Sequence, residues 1–276
     1  MHNTPPARTR ILEPTVFHFS FFRSLHSELG KLLASRGMLI AGFFGVLYSF
    51  VATALTIYVM SLFDESNAQI PLEPSYLTDQ WSDLALFIIP MAVLAVSSEY
   101  TYNTMHTTLL AVPRRILAFA TKLTAVAIYC GVLSLLMIIS SFIAALAFGD
   151  THGYAPNTAS ALLVEWVILT TLALGAAGIT YLIRSTAGSI VVLIGMLKFL
   201  SFLTLIPHEK TQDVLQRVLP DQVASSAMHT GSVSQFEIML GVTPSGWTWG
   251  IALAIWFLYM ALFIALGIVR FLKSDA

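Results

Sequence analysis

Apolar residues occur along the chain in long runs that contain almost no charge. Six of these runs predict helices that cross a membrane, since about 20 apolar residues span the hydrocarbon core. They cover about residues 37–63, 84–98, 116–148, 159–183, 186–206 and 246–269. The second run is the shortest, but Trp81 precedes it, and tryptophan is typical of the membrane–water interface. The pattern predicts a single six-span domain over residues 17–276, after a disordered tail at residues 1–16.

The segment before the first span, residues 17–36, has an amphipathic pattern. Its apolar residues recur at steps of three and four, and its charged residues include Arg23, Glu28 and Lys31. This spacing predicts an interfacial helix in the inner headgroup layer. Two interpretations remain open, a membrane-surface anchor and a helix that also contacts a cytoplasmic partner.

The composition supports a membrane protein. Apolar residues make up 57% of the 276 positions and charged residues 11%, whereas about a quarter of a soluble domain is charged. The net charge of −1, without a basic tract, gives no indication of nucleic-acid binding. The single cysteine, Cys130, excludes an intrachain disulfide.

The basic residues predict the orientation. An even number of spans places both termini on one side, and cytoplasmic lysine and arginine are in excess in membrane proteins. With cytoplasmic termini, only Lys210 and Arg217 lie outside and Lys198 lies in a span. The inside residues are then Arg8, Arg10, Arg23, Lys31, Arg36, Arg114, Arg115, Lys122, Arg184, Arg270 and Lys273.

The polar stretch SSEYTYNTMHTTLLAVPRR, residues 97–115, links the second and third spans on the predicted cytoplasmic side. Asn103 can cap a short helix, and Pro113 ends it. A plain turn would explain the arginine pair but not the length or the hydroxyl-rich face. The stretch therefore favours a short surface helix that docks a protein.

This stretch, with SELGKLL before the first span and ILAFATKL after it, resembles the permease subunits of ABC-2 type exporters. The chain departs from the family pattern at Asn103, where relatives usually have Gly, and at Thr101, where a basic residue is common. The residues that match the family pattern are Glu99, Thr104, Thr107, Thr108, Leu109, Pro113, Arg114, Arg115 and Lys122.

The resemblance implies an all-α permease of the bacterial cell membrane, in which the 97–115 helix couples to a separate ATPase subunit. It also implies a second permease copy, as a homodimer or a related heterodimer, and, in the outer segment at 207–245, two short helices that dip into the outer leaflet as an external lid. From the residues alone an ordinary loop in this segment is also open. ATP and Mg²⁺ would bind to the partner, because the chain lacks the phosphate-binding pattern G-x-x-x-x-G-K-[ST]. The cargo would be an amphipathic drug, an antimicrobial peptide or a lipid-like molecule.

Two ionisable residues lie within predicted spans, Glu165 in the fourth and Lys198 in the fifth. A lone charge in the membrane costs about 2.5–3.5 kcal/mol on insertion scales. Three interpretations are open: the two residues pair or line a cavity, Lys198 extends to the interface while Glu165 lies there, or they contact the cargo.

Two other classes of function are alternatives to the exporter. An ATP-independent carrier or channel would favour more polar residues at mid-membrane or two broken-helix repeats. An intramembrane enzyme is disfavoured because H-E-x-x-H is absent and all seven histidines lie outside the predicted spans. The sequence thus predicts a transport subunit without catalytic residues, a metal site or a bound cofactor.

Overall fold

The computed structural model describes residues 20–63, 74–101, 115–149, 157–205, 209–228 and 247–273. Within these ranges the chain is almost wholly helical and contains no strand. Six helical segments are long and apolar enough to cross a membrane. For this part of the chain, the prediction of an all-α fold with six helices long and apolar enough to cross a membrane is confirmed.

The helices follow one another with short breaks. In chain order they are α1 (Phe21–Ala34), α2 (Arg36–Phe63), α3 (Ser75–Thr78), α4 (Trp81–Thr101), α5 (Arg115–Phe148), α6 (Thr158–Ile183), α7 (Thr186–Ile194), α8 (Glu209–Val218), α9 (Pro220–Met228) and α10 (Trp249–Lys273). After α7 the chain continues as a π-helical turn, Gly195–Phe199, and a 3₁₀ segment, Leu200–Leu205. The six candidate spans are α2, α4, α5, α6, α7 with its continuation, and α10.

Helix α1 forms within the predicted amphipathic segment and is separated from α2 by one residue. Ser35 has extended backbone angles, φ −75° and ψ 105°, which end α1. The helix packs along α5 and buries Leu32 and Glu28, while Phe22 is exposed. We call the end of the bundle where α1 meets α4 and α5 the α1 end, and the opposite end the far end.

Helices α4 and α6 form the centre of the bundle. Leu84, Ile88 and Ile89 of α4 and Ile168 and Leu169 of α6 are completely buried. The outer helices instead expose large apolar side chains, as expected of surfaces that face lipid; among them are Phe43 on α2, Val191 on α7 and Leu258 on α10.

The second span is longer than the sequence predicts. The uncharged run predicts a span over residues 84–98, between the charges of Asp83 and Glu99. Helix α4 instead runs from Trp81 to Thr101. Trp81 and Glu99 are both buried against other helices. Protein contacts therefore extend this helix beyond its uncharged stretch.

Glycines bring α6 and α10 into backbone contact. A Cβ atom on Gly178 would lie 2.6 Å from the carbonyl oxygen of Phe263, and one on Gly267 would lie 2.5 Å from that of Gly178. The small residues Gly175 and Gly178 indicate a close helix contact in the sequence. The structure assigns that contact to α10 of the same chain.

Hydroxyl groups connect α2 to α5 inside the bundle. Ser49 donates to the carbonyl oxygen of Met137 at 2.7 Å, and the hydroxyl of Ser141 lies 2.9 Å from Ser49 and 2.7 Å from Thr53. The amide of Gln80 donates to Thr53. Such contacts satisfy polar groups that would otherwise be unpaired in an apolar environment.

The far end is covered in part by α8 and α9. The indole of Trp81 donates to the hydroxyl of Ser225 on α9 at 3.2 Å, and the phenol of Tyr259 donates to the carbonyl oxygen of Val218 at 2.9 Å. The described part of the 207–245 segment thus contains two short helices; their insertion into the outer leaflet stays a prediction.

Candidate functional site

Four charged side chains from three helices converge at the α1 end. The ammonium of Lys122 on α5 lies 2.5 Å from Oε2 of Glu28 on α1 and 2.6 Å from Oε1 of Glu99 on α4. Lys31 on α1 lies 2.5 Å from Oε1 of Glu28 and 3.9 Å from Oε1 of Glu99. We call Glu28, Lys31, Glu99 and Lys122 the ion-pair cluster. It joins the amphipathic helix to two spans.

Three members of the ion-pair cluster are withdrawn from water. The side chains of Lys122, Glu28 and Glu99 are 5%, 7% and 8% exposed. Burial alone would raise the pKa of Glu28, but the ammonium of Lys122, assisted by Lys31, lowers that pKa below its ordinary value. The two carboxylates and two ammoniums balance in charge, so each of the three buried groups depends on partners of opposite sign for its stability in this environment.

An aromatic layer lies beside the ion-pair cluster and joins two more span ends to it. The ring of Tyr181 on α6 has its centroid 4.8 Å from that of Phe119 on α5 and 5.2 Å from that of Phe271 on α10. Tyr100 on α4 contacts Tyr181, and the guanidinium of Arg184 lies 5.6 Å from the centre of the Tyr100 ring. The ends of α4, α5, α6 and α10 are thereby packed together.

The ion-pair cluster connects the two helices that the predicted docking stretch joins. Glu99 is two residues before the end of α4, and Lys122 is two turns after the start of α5. Arg115 is the first residue of α5. The other residues predicted to contact an ATPase lie outside the described part of the chain; they are Thr104, Thr107, Thr108, Leu109, Pro113 and Arg114.

The predicted residues of the interfacial helix have different environments. Arg23 is exposed, Lys31 is exposed and ion-paired, and Glu28 is buried. The sequence pattern draws attention to Glu28, Glu99 and Lys122 separately, but it does not predict that they contact one another. One feature of the sequence could have indicated the contact. Each of these charged residues lies beside an apolar run, and a charge in such a position needs a partner of opposite sign.

At the far end, the structure corrects the hypothesis that Lys198 pairs with Glu165. The ammonium of Lys198 lies 2.5 Å from Oδ1 of Asp83 and donates to the hydroxyl of Ser82 at 2.8 Å. Tyr48 on α2 also donates to Asp83, at 3.0 Å. The pairing differs because α7 and its continuation pack against α4, and the side chain of Lys198 remains 31% exposed at that contact.

Asp221 on α9 lies close to this contact. It accepts a hydrogen bond from the hydroxyl of Ser201 at 2.8 Å. Burial raises the pKa of Asp221, although Ser201 and the charge of Lys198 oppose that effect. The far end therefore has a polar network, but a less enclosed one than the ion-pair cluster.

No family model matches the chain, and no curated protein matches its sequence. Within the described ranges, no group of three or more histidine, cysteine, aspartate or glutamate side chains is placed to hold a metal ion. The ion-pair cluster is the most enclosed group of charges in those ranges that connects several helices, and it is the candidate functional site.

Proposed function

We propose that the chain is the permease subunit of an ATP-driven exporter of the ABC-2 type and that a separate ATPase subunit docks on the 97–115 stretch. One observation carries the proposal: the ion-pair cluster holds the two helices joined by that stretch, α4 and α5, against α1. A docking element that transmits force needs rigid attachments, and buried complementary charges provide them. The six candidate spans and the family-like sequence pattern support the same function.

The test begins with the tagged chain purified from the membranes of cells that naturally make it. We expect vanadate-sensitive ATP hydrolysis to purify with it. A variant with Thr107, Thr108 and Leu109 all changed to Asp should lose the hydrolysis while the permease remains in the membrane, because three carboxylates disrupt an apolar and hydroxyl-rich contact.

Two single variants test the role of the ion-pair cluster. Lys122→Met removes the ammonium that Glu28 and Glu99 share. Lys198→Met is the matched control, because it removes the ion pair with Asp83 at the far end. We expect the ATPase to dissociate from the first variant and to remain with the second. Undiminished hydrolysis with the triple Asp variant would exclude docking at 97–115.

A second candidate, an ATP-independent carrier, is favoured by one observation, the buried carboxyl of Glu165 within α6. Ionisable groups inside spans are common in proton-linked carriers. Transport by the chain alone in vesicles, driven by a pH gradient without nucleotide, would support this candidate over the exporter.

A further inference from the structure

Glu165 lies in the interior of the bundle, two turns from the far-end start of α6. Its exposed fraction is 1%, and Ala161, Ile168 and Leu169 on the same helix are completely buried around it. Helix α6 packs against α4, α5 and α10 at the centre of the fold. The carboxyl is therefore separated from both lipid and water.

The carboxyl of Glu165 is incompletely satisfied. Its Oε1 atom is buried and has no hydrogen-bond partner in the ranges that the structure describes. The two lysines that enter the spans in those ranges contact other carboxylates, Lys122 at the α1 end and Lys198 at Asp83. An ionised carboxylate in this position would carry a large desolvation cost that neither of these lysines offsets.

Among the residues that the structure describes, no lysine, arginine or histidine of a neighbouring element forms an ion pair with Glu165. Other titratable groups in the middle and at the far end of the elements packed against α6 include Tyr76 on α3, Asp79 just before α4, Asp83 on α4, paired with Lys198, Tyr129 and Cys130 on α5, Asp221 on α9, bonded to Ser201, and Tyr259 on α10, bonded to Val218.

We propose that Glu165 is a proton-binding site, occupied by a proton while α6 is packed as in this structure. The ligand is a proton rather than a larger cation for two reasons. The surrounding side chains are completely buried, and no group of three carboxylate, histidine or cysteine ligands surrounds the position in the described ranges. Release of the proton requires water to reach the carboxyl, so it accompanies an opening of α6 at the far end.

The inference is independent of the exporter proposal, because it concerns the purified chain alone. Dicyclohexylcarbodiimide provides a chemical probe, since it dissolves in membranes and reacts with protonated carboxyls. The acid proton moves to a carbodiimide nitrogen while the carboxylate oxygen bonds to the central carbon, and rearrangement gives a stable N-acylurea. All atoms remain in the adduct, so its mass identifies the modified residue.

The labelling is measured by peptide mass spectrometry on the full chain in lipid nanodiscs. We expect an adduct on Glu165 that decreases as the pH rises and is absent from Glu165→Gln. The matched control Asp83→Asn removes a carboxylate that is paired with Lys198, and it should leave the Glu165 adduct unchanged. Protection of Glu165 by sodium ions or by an organic amine at constant pH would identify a larger cation as the ligand and overturn the proposal.

A second measurement tests the proposal if dicyclohexylcarbodiimide cannot reach Glu165. A carboxyl that is neutral when packed stabilises the fold at low pH, and that stabilisation is lost as the pH rises. We therefore expect the thermal midpoint of the wild type to fall toward alkaline pH, and the fall to be smaller in Glu165→Gln but unchanged in Asp83→Asn. This loss of slope supports the proposal even without an adduct. An absent adduct with equal slopes in wild type and Glu165→Gln refutes it, and if Glu165→Gln does not fold, the pH-dependent adduct on the wild type decides.

Discussion

Lys122 lies two turns inside α5, and two carboxylates from different helices share its ammonium. Glu165 lies at a comparable depth from the opposite end, and its Oε1 atom accepts no hydrogen bond from the residues that the structure describes. The same bundle thus contains one buried charge that partners stabilise and one carboxyl for which neutralisation is the less costly state. At the scale of single residues, the neighbouring side chains decide whether a buried group is stabilised as a charge or is less costly when neutral.

The first residue-scale prediction concerns the shared ammonium. Lys122→Met should lower the free energy of unfolding by about 3–5 kcal/mol, because Glu28 and Glu99 would remain buried and face each other. The double change Glu28→Gln with Lys122→Met should recover part of that loss. Thermal unfolding in detergent measures both effects. Lys198→Met is the control and should cost less, since its ion pair is partly exposed.

The second prediction concerns acid. Because the pKa of Glu28 is lowered in the folded chain, its stabilising contribution is complete above the ordinary value of 4.5 and is lost as the pH falls through the lowered value. Below about pH 4 we expect α1 amides to exchange hydrogen faster, relative to the rest of the chain, than at neutral pH. Glu28→Gln should remove this pH dependence; an unchanged dependence would show that another group controls α1.

The third prediction concerns backbone strain at Arg184. This residue ends α6 with φ 59°, the only positive φ of a non-glycine residue in the described ranges. Both Arg184→Gly and Arg184→Ala remove the contact with Tyr100, so their difference isolates the backbone. We expect the glycine variant to be more stable by about 1 kcal/mol, the reverse of the usual order in a helix. Equal thermal midpoints would indicate that the turn relaxes without cost.

At the scale of elements, the sequence predicts the spans but not all of their limits. Long apolar runs favour transmembrane helices whatever their neighbours are. The first and last residues of α4 depend on the burial of Trp81 and Glu99 by other helices. A local sequence pattern cannot predict this burial. The partner of Lys198 is unpredictable for the same reason: α4 and the continuation of α7 are distant in sequence, and their packing brings Asp83 within reach.

The contact between α6 and α10 gives the fourth prediction. Gly178→Ala places a methyl group against the backbone of Phe263 and should destabilise the bundle by about 1–3 kcal/mol, because backbone atoms cannot move aside as a side chain can. Gly250→Ala is the matched control in α10, where a Cβ meets no atom within 4 Å. Thermal unfolding should show a loss for the first variant only. A neutral Gly178→Ala would mean that the helices separate easily.

At the scale of the whole molecule, the charge pattern predicts an orientation that the fold alone does not reveal. Cysteines introduced at Ser75 and Ser232 should react with impermeant thiol reagents in intact cells, and one at Ser274 should not, if both termini are cytoplasmic. The native Cys130 is buried and needs no replacement. Labelling of position 274 from outside would reverse the predicted orientation.

The ion-pair cluster was predictable only in part. The isolated charges of Glu28, Glu99 and Lys122 each signal a need for a partner, and the family-like pattern draws attention to Glu99 and Lys122. The convergence of α1, α4 and α5 decides which charges meet, and it depends on the packing of the complete bundle. The docking stretch between α4 and α5 remains a prediction for the experiments above.

The glycine contact between α6 and α10 also sets an order of events during synthesis. Helix α6 is made well before Trp249, the first residue of α10, so its glycine surface at Gly178 is without its final partner for the time needed to translate the intervening chain. The hydrogen bond from Trp256 to Thr171 forms at the same late stage. Maturation of the bundle therefore awaits its last span, and a chain cut short before residue 249 would present an unfinished surface to the membrane's quality-control proteases.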